Sequence, residues 1–279
     1  MNNVVFIADF FVNQVPGGGE LNNEELINIL IERGHKVEKI NSHVATPEYI
    51  ENNKNSNFIV ANFINLNTNV QTALKDKKYI IYEHDHKYLL NRNPAKYEKF
   101  LAPPEEIINF DFYKNAIVTV CQSGFHENIV GKNLKLDNIC NVGGNLWPTK
   151  ALDFLEKIST KKKKRACSIM ASSIEHKNTG GAIKYCRHKK EKYELIPALP
   201  YYSFLKRLGA NDTLIFLPET PETLSRIVVE SRMMAMKIIT NGLVGASKED
   251  WFKLKGKDLV DLMRSRREEI PLKIERCFE

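Results

Sequence analysis

The sequence predicts an α/β protein built from two Rossmann-like halves. Three observations predict it. Short apolar runs alternate with helical patterns through the first half of the chain. The alternation pauses over residues 143–152, Gly-Gly-Asn-Leu-Trp-Pro-Thr-Lys-Ala-Leu, which read as a connection between domains. It then restarts, so two parallel sheets fit better than one long sheet. A chain of 279 residues with 43% hydrophobic and 27% charged residues has the size and balance for two such domains. That balance excludes a mainly disordered or collagen-like chain.

The elements follow in order. Residues 4–10 form an apolar run suited to a buried parallel strand. Pro16-Gly17-Gly18-Gly19-Glu20 is a loop, and residues 21–33 are a helix with Leu26, Ile29, Leu30 and Arg33 spaced along one face. Gly34 stops that helix. Strands are expected at 36–40, 58–63, 79–82 and 116–121, with helical stretches at 47–53 and 70–75. After the connection a helix runs through Leu155 to the basic run 161–165. Strands at 165–171, 193–196, 213–217 and 237–240 then alternate with helices at 179–186, 202–208 and 224–234, and a helical tail begins near residue 258. The expected domains are 1–147, 148–262 and a tail, 263–279, that packs back on the first.

Charge divides unevenly along the chain. Residues 1–149 hold 14 basic and 17 acidic residues, a net −3, and residues 150–279 hold 27 and 17, a net +10. A basic second half fits an anionic ligand or a solvated basic face. Five separated cysteines without a C-x-x-C pair argue against a zinc ribbon and fit reduced thiols. No apolar run approaches the ~20 residues of a membrane span, and the N-terminus lacks a signal-peptide pattern. A cytoplasmic protein without stable membrane insertion is expected.

Four segments carry chemistry. Gly17, Gly18 and Gly19 between a strand and a helix allow close backbone approach to a ligand, although the spacing is not that of a dinucleotide fingerprint and equally fits a tight turn. Tyr82-Glu83-His84-Asp85-His86 ends a strand, where open α/β sheets place ligands. Alternation there allows His84 and His86 to share a side, for acid–base work or, as the lesser reading, metal binding. Ser172 to Gly181 is a polar loop in which Lys177 precedes a glycine-containing helix start, a reasonable phosphate contact. Residues 222–230 open a helix after an apolar strand: Thr223 or Ser225 can cap it, its N–H groups can face a phosphate, and Arg226 adds a cationic fork. Glu222 and Glu230, two turns apart, lie on roughly one face, a spacing that a surface helix with two solvated acids also satisfies.

In this order the segments resemble the retaining nucleotide-sugar glycosyltransferases of family four. The resemblance rests on Gly17-Gly18-Gly19-Glu20 with Glu32-Arg33-Gly34-His35-Lys36-Val37, on Glu83-His84-Asp85, and on Thr240-Asn241-Gly242-Leu243-Val244-Gly245-Ala246 with Glu249. Most specific is Glu222 with Glu230, two glutamates separated by seven residues. The resemblance covers most of the chain, which is short for such enzymes. It implies the GT-B fold, two Rossmann-like domains facing across a cleft.

It also implies roles. His84 and Glu222 would act beside the transferred sugar. Lys177 and the backbone of Thr223, Leu224, Ser225 and Arg226 would meet the diphosphate, and Glu230 would hold the ribose. Gly18 and Gly19 would lie close to the donor. The resemblance implies retention and no bound metal or cofactor, with a UDP- or GDP-sugar as donor. The chain departs from the pattern at Ser172, where the family has an arginine, and at Thr223 and Ser225, where it has glycines. Arg226 is the expected substitute for the missing charge. The acceptor is a glycan, a small molecule or a hydroxylated base of DNA. A degenerate, non-catalytic nucleotide-binding relative is the remaining alternative.

Overall fold

The computed structural model describes residues 2–279. By the clustering of its contacts the chain forms two units. The first runs to Leu146 and takes in Arg267–Glu279; the second is Trp147–Arg266.

The first unit is a six-stranded sheet with helices between its strands: β1 (Asn3–Ala8), α1 (Gly18–Glu32), β2 (Lys36–Asn41), α2 (Pro47–Asn52), β3 (Asn57–Val60), α3 (Thr68–Leu74), β4 (Tyr79–Tyr82), α4 (Phe110–Asn115), β5 (Thr119–Cys121), α5 (Gly124–Leu134) and β6 (Ile139–Asn141). The order is β2-β1-β3-β4-β5-β6, with every pair parallel. The central strands are buried on both faces, which is why β1 and β4 read as unbroken apolar runs. Strand order reverses between β1 and β3, so loops leaving their carboxyl ends diverge and leave a crevice there.

Several bounds differ from the sequence reading. The first helix starts at Gly18, so Gly18 and Gly19 lie in its first turn and only Gly17 precedes it, as the N-cap. α4, α5 and β6 fill stretches where no such elements were expected. Length explains two of them: β6 has three residues and α4 six, too few for a period to show.

The second unit contains α6 (Thr149–Ser159), β7 (Lys164–Met170), α7 (Thr179–Lys189), β8 (Tyr193–Ile196), α8 (Tyr201–Leu208), β9 (Asn211–Phe216), α9 (Arg226–Met233) and β10 (Lys237–Thr240). Its parallel sheet has the order β10-β9-β7-β8, with the reversal between β7 and β9. Trp147, Leu152, Leu155, Leu205, Leu214, Val228, Met233 and Leu259 belong to its main core. α9 starts two residues later than expected because Ser225 has φ +77°, outside helical space, and its side chain makes no capping bond. Ser225 therefore occupies a conformation that glycine adopts freely and other residues adopt at a cost of order 1 kcal/mol.

The last helix, α10 (Lys257–Arg276), begins in the second unit, and its final turns belong to the first. In that first unit Ile270, Ile274 and Phe278 join the core that contains Val4, Phe6, Leu26 and Leu30. Glu275 accepts from Arg33 at 2.9 Å and from His35 at 2.7 Å, and Arg267 pairs with Glu25. Ile274→Ala is expected to cost about 2–5 kcal/mol, as for other buried large-to-small changes. Urea unfolding followed by far-ultraviolet circular dichroism measures it. Ser225→Gly is expected to raise the midpoint of the same transition, because it relieves the positive φ and removes a buried hydroxyl without a hydrogen-bond partner.

Candidate functional site

In the second unit, chemistry-bearing side chains collect at the carboxyl ends of β7 and β9. The chain leaving β7 turns at Ser172, whose Oγ accepts from the Ile174 N–H at 3.2 Å, and passes through a short 3₁₀ turn, Glu175–Lys177. Ser172 thus shapes the loop. Asn178, in left-handed conformation, caps α7 by accepting from the Gly181 N–H at 3.0 Å and donates to the Leu217 carbonyl at 2.9 Å. These bonds fix the backbone beside Lys177. Lys177 Nζ donates to Glu222 Oε1 at 2.6 Å, both side chains being partly buried. Glu222 is held in turn by its backbone, whose N–H donates to the Leu243 carbonyl at 2.8 Å and whose carbonyl accepts from the Gly245 N–H at 2.9 Å.

Beyond Glu222 the chain enters α9. Leu224 is fully buried, so only its backbone is available to a ligand. The Ser225 hydroxyl is buried without a hydrogen-bond partner. The first N–H groups of α9 lack intrahelical acceptors by helix geometry, which makes this turn an anion-accepting feature. Arg226 is 8% exposed and does not extend from that turn as a free fork. Its guanidinium stacks on the Trp147 ring, 4.5 Å from the centroid, and its Nε lies 3.4 Å from Glu230 Oε1. The same oxygen accepts from Trp147 Nε1 at 2.9 Å and from the Tyr201 hydroxyl at 2.7 Å. Burial, and after it the Glu230 charge, push the Tyr201 hydroxyl well up from its ordinary value, so it remains a donor. The expectation that Arg226 replaces a phosphate-binding arginine thus meets a guanidinium already engaged with Glu230 and Trp147.

In the first unit a second polar cluster surrounds the ends of β1, β3, β4 and β5. Asp9, just after β1, accepts from the Ile64 and Asn65 N–H groups at 2.9 and 3.0 Å and from the Ser42 hydroxyl. His84, just after β4, has its Nε2 2.5 Å from Asn23 Oδ1 and its Nδ1 against the Gln122 amide. A carbonyl on one side and an NH₂ on the other select the neutral Nε2–H tautomer. Burial, with Lys87 and His126 nearby, holds this imidazole well below its ordinary range. A side chain at Gly19 would meet His84 and Asn62 at 3.6 Å, so Gly19 borders the histidine closely. Glu20 accepts from Asn62 at 3.1 Å, and burial is the main cause that raises its carboxyl.

His86 does not share His84's environment. It is 1% exposed, bonds Tyr88 through Nδ1 at 3.1 Å and meets the His126 ring edge-on. The expectation that the two histidines share a side is corrected: the chain leaves extended geometry after Tyr82, so strand alternation no longer applies. Beneath them Glu83, wholly buried, accepts from Lys87, from the Tyr113 hydroxyl and from the Asp85 N–H. Among the described residues no group of three or more His, Cys, Asp or Glu is placed to hold a metal ion.

Within the second unit the structure thus brings together Lys177 with Glu222, and Arg226 with Glu230, while Thr223, Leu224 and Ser225 form the turn between them. In the first unit it brings Gly19 to His84, with Gly18 next to it in the first turn of α1. Trp147, Tyr201, Asn23, Asn62 and Gln122 were missed. Trp147 alone had a signal, a large aromatic inside a segment read as a connection.

No protein-family model matches the chain, and no curated protein sequence matches it. Solved structures do match. The catalytic domain of starch synthase IV from Arabidopsis thaliana, bound to ADP and acarbose, matches with a TM-score of 0.66 at 9% identity, over 99% of this chain and 98% of that one. HepE from Anabaena, with UDP and glucose, gives 0.53 at 11% identity over 97% and 90%. An alpha-glucosyltransferase in complex with UDP and a 13-mer DNA containing a HMU base gives 0.53 at 9% identity over 97% and 90%. The fold is therefore GT-B, two Rossmann-like units in one chain.

Burial of neutral imidazoles couples stability to pH. His84 and His126 both titrate below 6.5 when folded, with burial the leading cause. Unfolding frees them to bind protons at higher pH, so below 6.5 the unfolded state holds more protons and stability falls as pH falls. The melting temperature is expected to drop on acidification through that window. His126→Gln is expected to flatten the slope, since an amide can keep the bonds to the Gln122 N–H and the Asp85 carbonyl. Comparing variant with wild type cancels the opposite contribution of Glu20.

Proposed function

We propose that the chain is a glycosyltransferase that moves a sugar from a nucleoside diphosphate sugar to an acceptor hydroxyl. The observation that carries this reading is the ion pair of Lys177 with Glu222 at the switch point of the second sheet, followed directly by the N-terminus of α9 and by Glu230. A switch point is where such sheets bind ligands, and a helix N-terminus beside a lysine suits phosphates. The three matched proteins, each with a nucleotide bound, support the reading through their shared fold.

In this reading Lys177, the Ser225 hydroxyl and the first N–H groups of α9 hold the diphosphate, and the backbone of Thr223, Leu224 and Arg226 completes that turn. Glu230 accepts the ribose hydroxyls, and Arg226, Trp147 and Tyr201 hold its carboxylate in place. Glu222 faces the sugar. In the first unit Gly18 and Gly19 leave room beside His84, to which this reading gives the role of a neutral hydrogen-bonding group in the transfer step. The bond from the sugar's anomeric carbon to phosphate oxygen breaks, and the diphosphate leaves with the electron pair. The acceptor oxygen bonds to that carbon, and its proton passes to the departing phosphate, with retention. Charge stabilisation comes from fixed dipoles and Lys177, so a chelator is expected to leave turnover unchanged. The donor is a UDP- or GDP-sugar, the acceptor a glycan, a small molecule or modified DNA, and the site of action the cytoplasm.

The Lys177–Glu222 pair makes a specific prediction. Diphosphate must compete with Glu222 for Lys177. Glu222→Gln is expected to bind free nucleoside diphosphate several-fold more tightly than wild type, and to turn over nucleotide sugar far more slowly. Isothermal titration calorimetry and donor-hydrolysis assays read the two effects; weaker diphosphate binding by this variant would remove the competition. Glu230→Ala is expected to weaken nucleotide binding by about 1.5–3 kcal/mol, and also to destabilise the fold, because Arg226 would lose its buried partner. Glu230→Gln keeps an acceptor for Trp147 and Tyr201 and separates the two effects. Nucleotide affinity unchanged in both variants would take Glu230 out of the site, and a wild-type chain that binds nucleotide without cleaving donor would be the non-catalytic relative.

A further inference from the structure

The proposed donor site leaves most of the second unit's positive charge unused. Residues 161–165 hold five cations and residues 187–192 hold four more against one acid, Glu191. Strand direction brings the two segments together. The first enters β7 at its amino end; the second ends α7 and leads into β8, which pairs with β7 from Cys167 opposite Tyr193. This is the end of the sheet opposite Lys177 and Glu222, removed by the length of β7, roughly 20 Å at the usual rise per residue.

Eight of the nine cations are exposed; Lys163, the ninth, donates to the Gly209 carbonyl at 2.8 Å. Of the nearby acids, Glu194 is already taken by Arg207 at 2.8 Å and Asp212 lies near the partly buried Lys163. Basic residues at helix C-termini are ordinarily explained by the helix dipole. Four helices, α6 to α9, lead into strands at this end. At about half an elementary charge each, they account for roughly two of the nine cations. The remainder is a surplus held in place against its own repulsion.

We infer that this basic end face docks the protein, reversibly, on an anionic phospholipid surface. Three features select that partner. Seven of the nine cations are lysines, point charges that suit a diffuse anionic surface more than bidentate reading of single phosphates. Neither segment contains Phe, Tyr or Trp on which a nucleic-acid base would stack, and His188 is the one ring within them. The strands start within three residues of one another in register, so the face has no projecting helix or ribbon to enter a groove. No helix among the described residues is long and apolar enough to cross a membrane.

Vesicle co-sedimentation tests this with the full chain. Probes are phosphatidylcholine vesicles and phosphatidylcholine vesicles containing phosphatidylserine, each at low and at 0.5 M salt (about a 4 Å Debye length). Binding is expected only to the serine-containing vesicles, and only at low salt. Replacing Lys161, Lys162, Lys189 and Lys190 with Gln should weaken it at least tenfold. A control variant replaces Lys75, Lys96, Lys132 and Lys135 of the first unit, lowering net charge equally, and should bind nearly as wild type. Nucleotide affinity and melting temperature should be the same in all three proteins. Equal losses in the two variants would show a bulk-charge effect and overturn the docking face. So would binding to neutral vesicles, or tighter binding to duplex DNA than to the anionic vesicles at the same salt, which would make nucleic acid the partner.

Discussion

All strands of both sheets run parallel to their neighbours, and this constraint decides where the chain can place chemistry. A parallel sheet sends every strand's carboxyl end to one side and every returning helix's C-terminus to the other. Helix N-termini, with unsatisfied N–H groups, therefore share a side with the loops that follow strands. Lys177, Glu222 and the start of α9 lie there in the second unit, and Asp9, Asn62 and His84 in the first. The order reversals at β1/β3 and β7/β9 keep those loops apart, and Asn62, His84, Lys177 and Glu222 stay only partly buried, while Asp9 is buried.

How much of this was legible follows from the same constraint. Strands buried on both faces are continuous apolar runs, and β4 has the bounds read from sequence; so do the partly buried edge strands β8 and β10. The alternation gave two sheets because the gap at 143–152 has no apolar period. The shorter elements gave no such signal. The second half of α10 was legible only as helix. Its membership of the first unit depends on Ile270, Ile274, Glu275 and Phe278 meeting residues some 240 positions earlier, which no local pattern records. Site residues were legible where the motif is local, as for Glu222 and Glu230. They were lost where partners come from separate elements: Trp147 and Tyr201 reach Glu230 from 83 and 29 residues away, and Gln122 reaches His84 from 38.

Ser225 shows a departure at the level of one backbone angle. A φ of +77° at this turn suits glycine better than serine, and it explains why the helix expected from residue 224 begins at 226. Serine keeps the turn at a conformational cost and puts a buried, unpaired hydroxyl at the helix start. A group of that kind is costly while unpaired and becomes favourable when an acceptor such as a phosphate oxygen takes its hydrogen bond. Strain and an orphan donor on the same residue are hard to reconcile with a purely structural turn.

Charge placement completes the argument. The net +10 of residues 150–279 invites the view that the second unit holds its anionic ligand by bulk positive charge. The structure separates the two. At the carboxyl end, Arg226 is engaged with Glu230 and Lys177 with Glu222, so these two cations each stand beside a carboxylate. Each of the two pairs is close to neutral as it stands. The surplus lies at the amino end, beyond a Debye length at physiological salt. Bulk charge therefore contributes little to the affinity of the carboxyl-end site. Under the proposed function, selectivity for an anion rests on Lys177, the dipole of α9 and the Ser225 hydroxyl acting at contact, where geometry, and not net charge, decides what is bound.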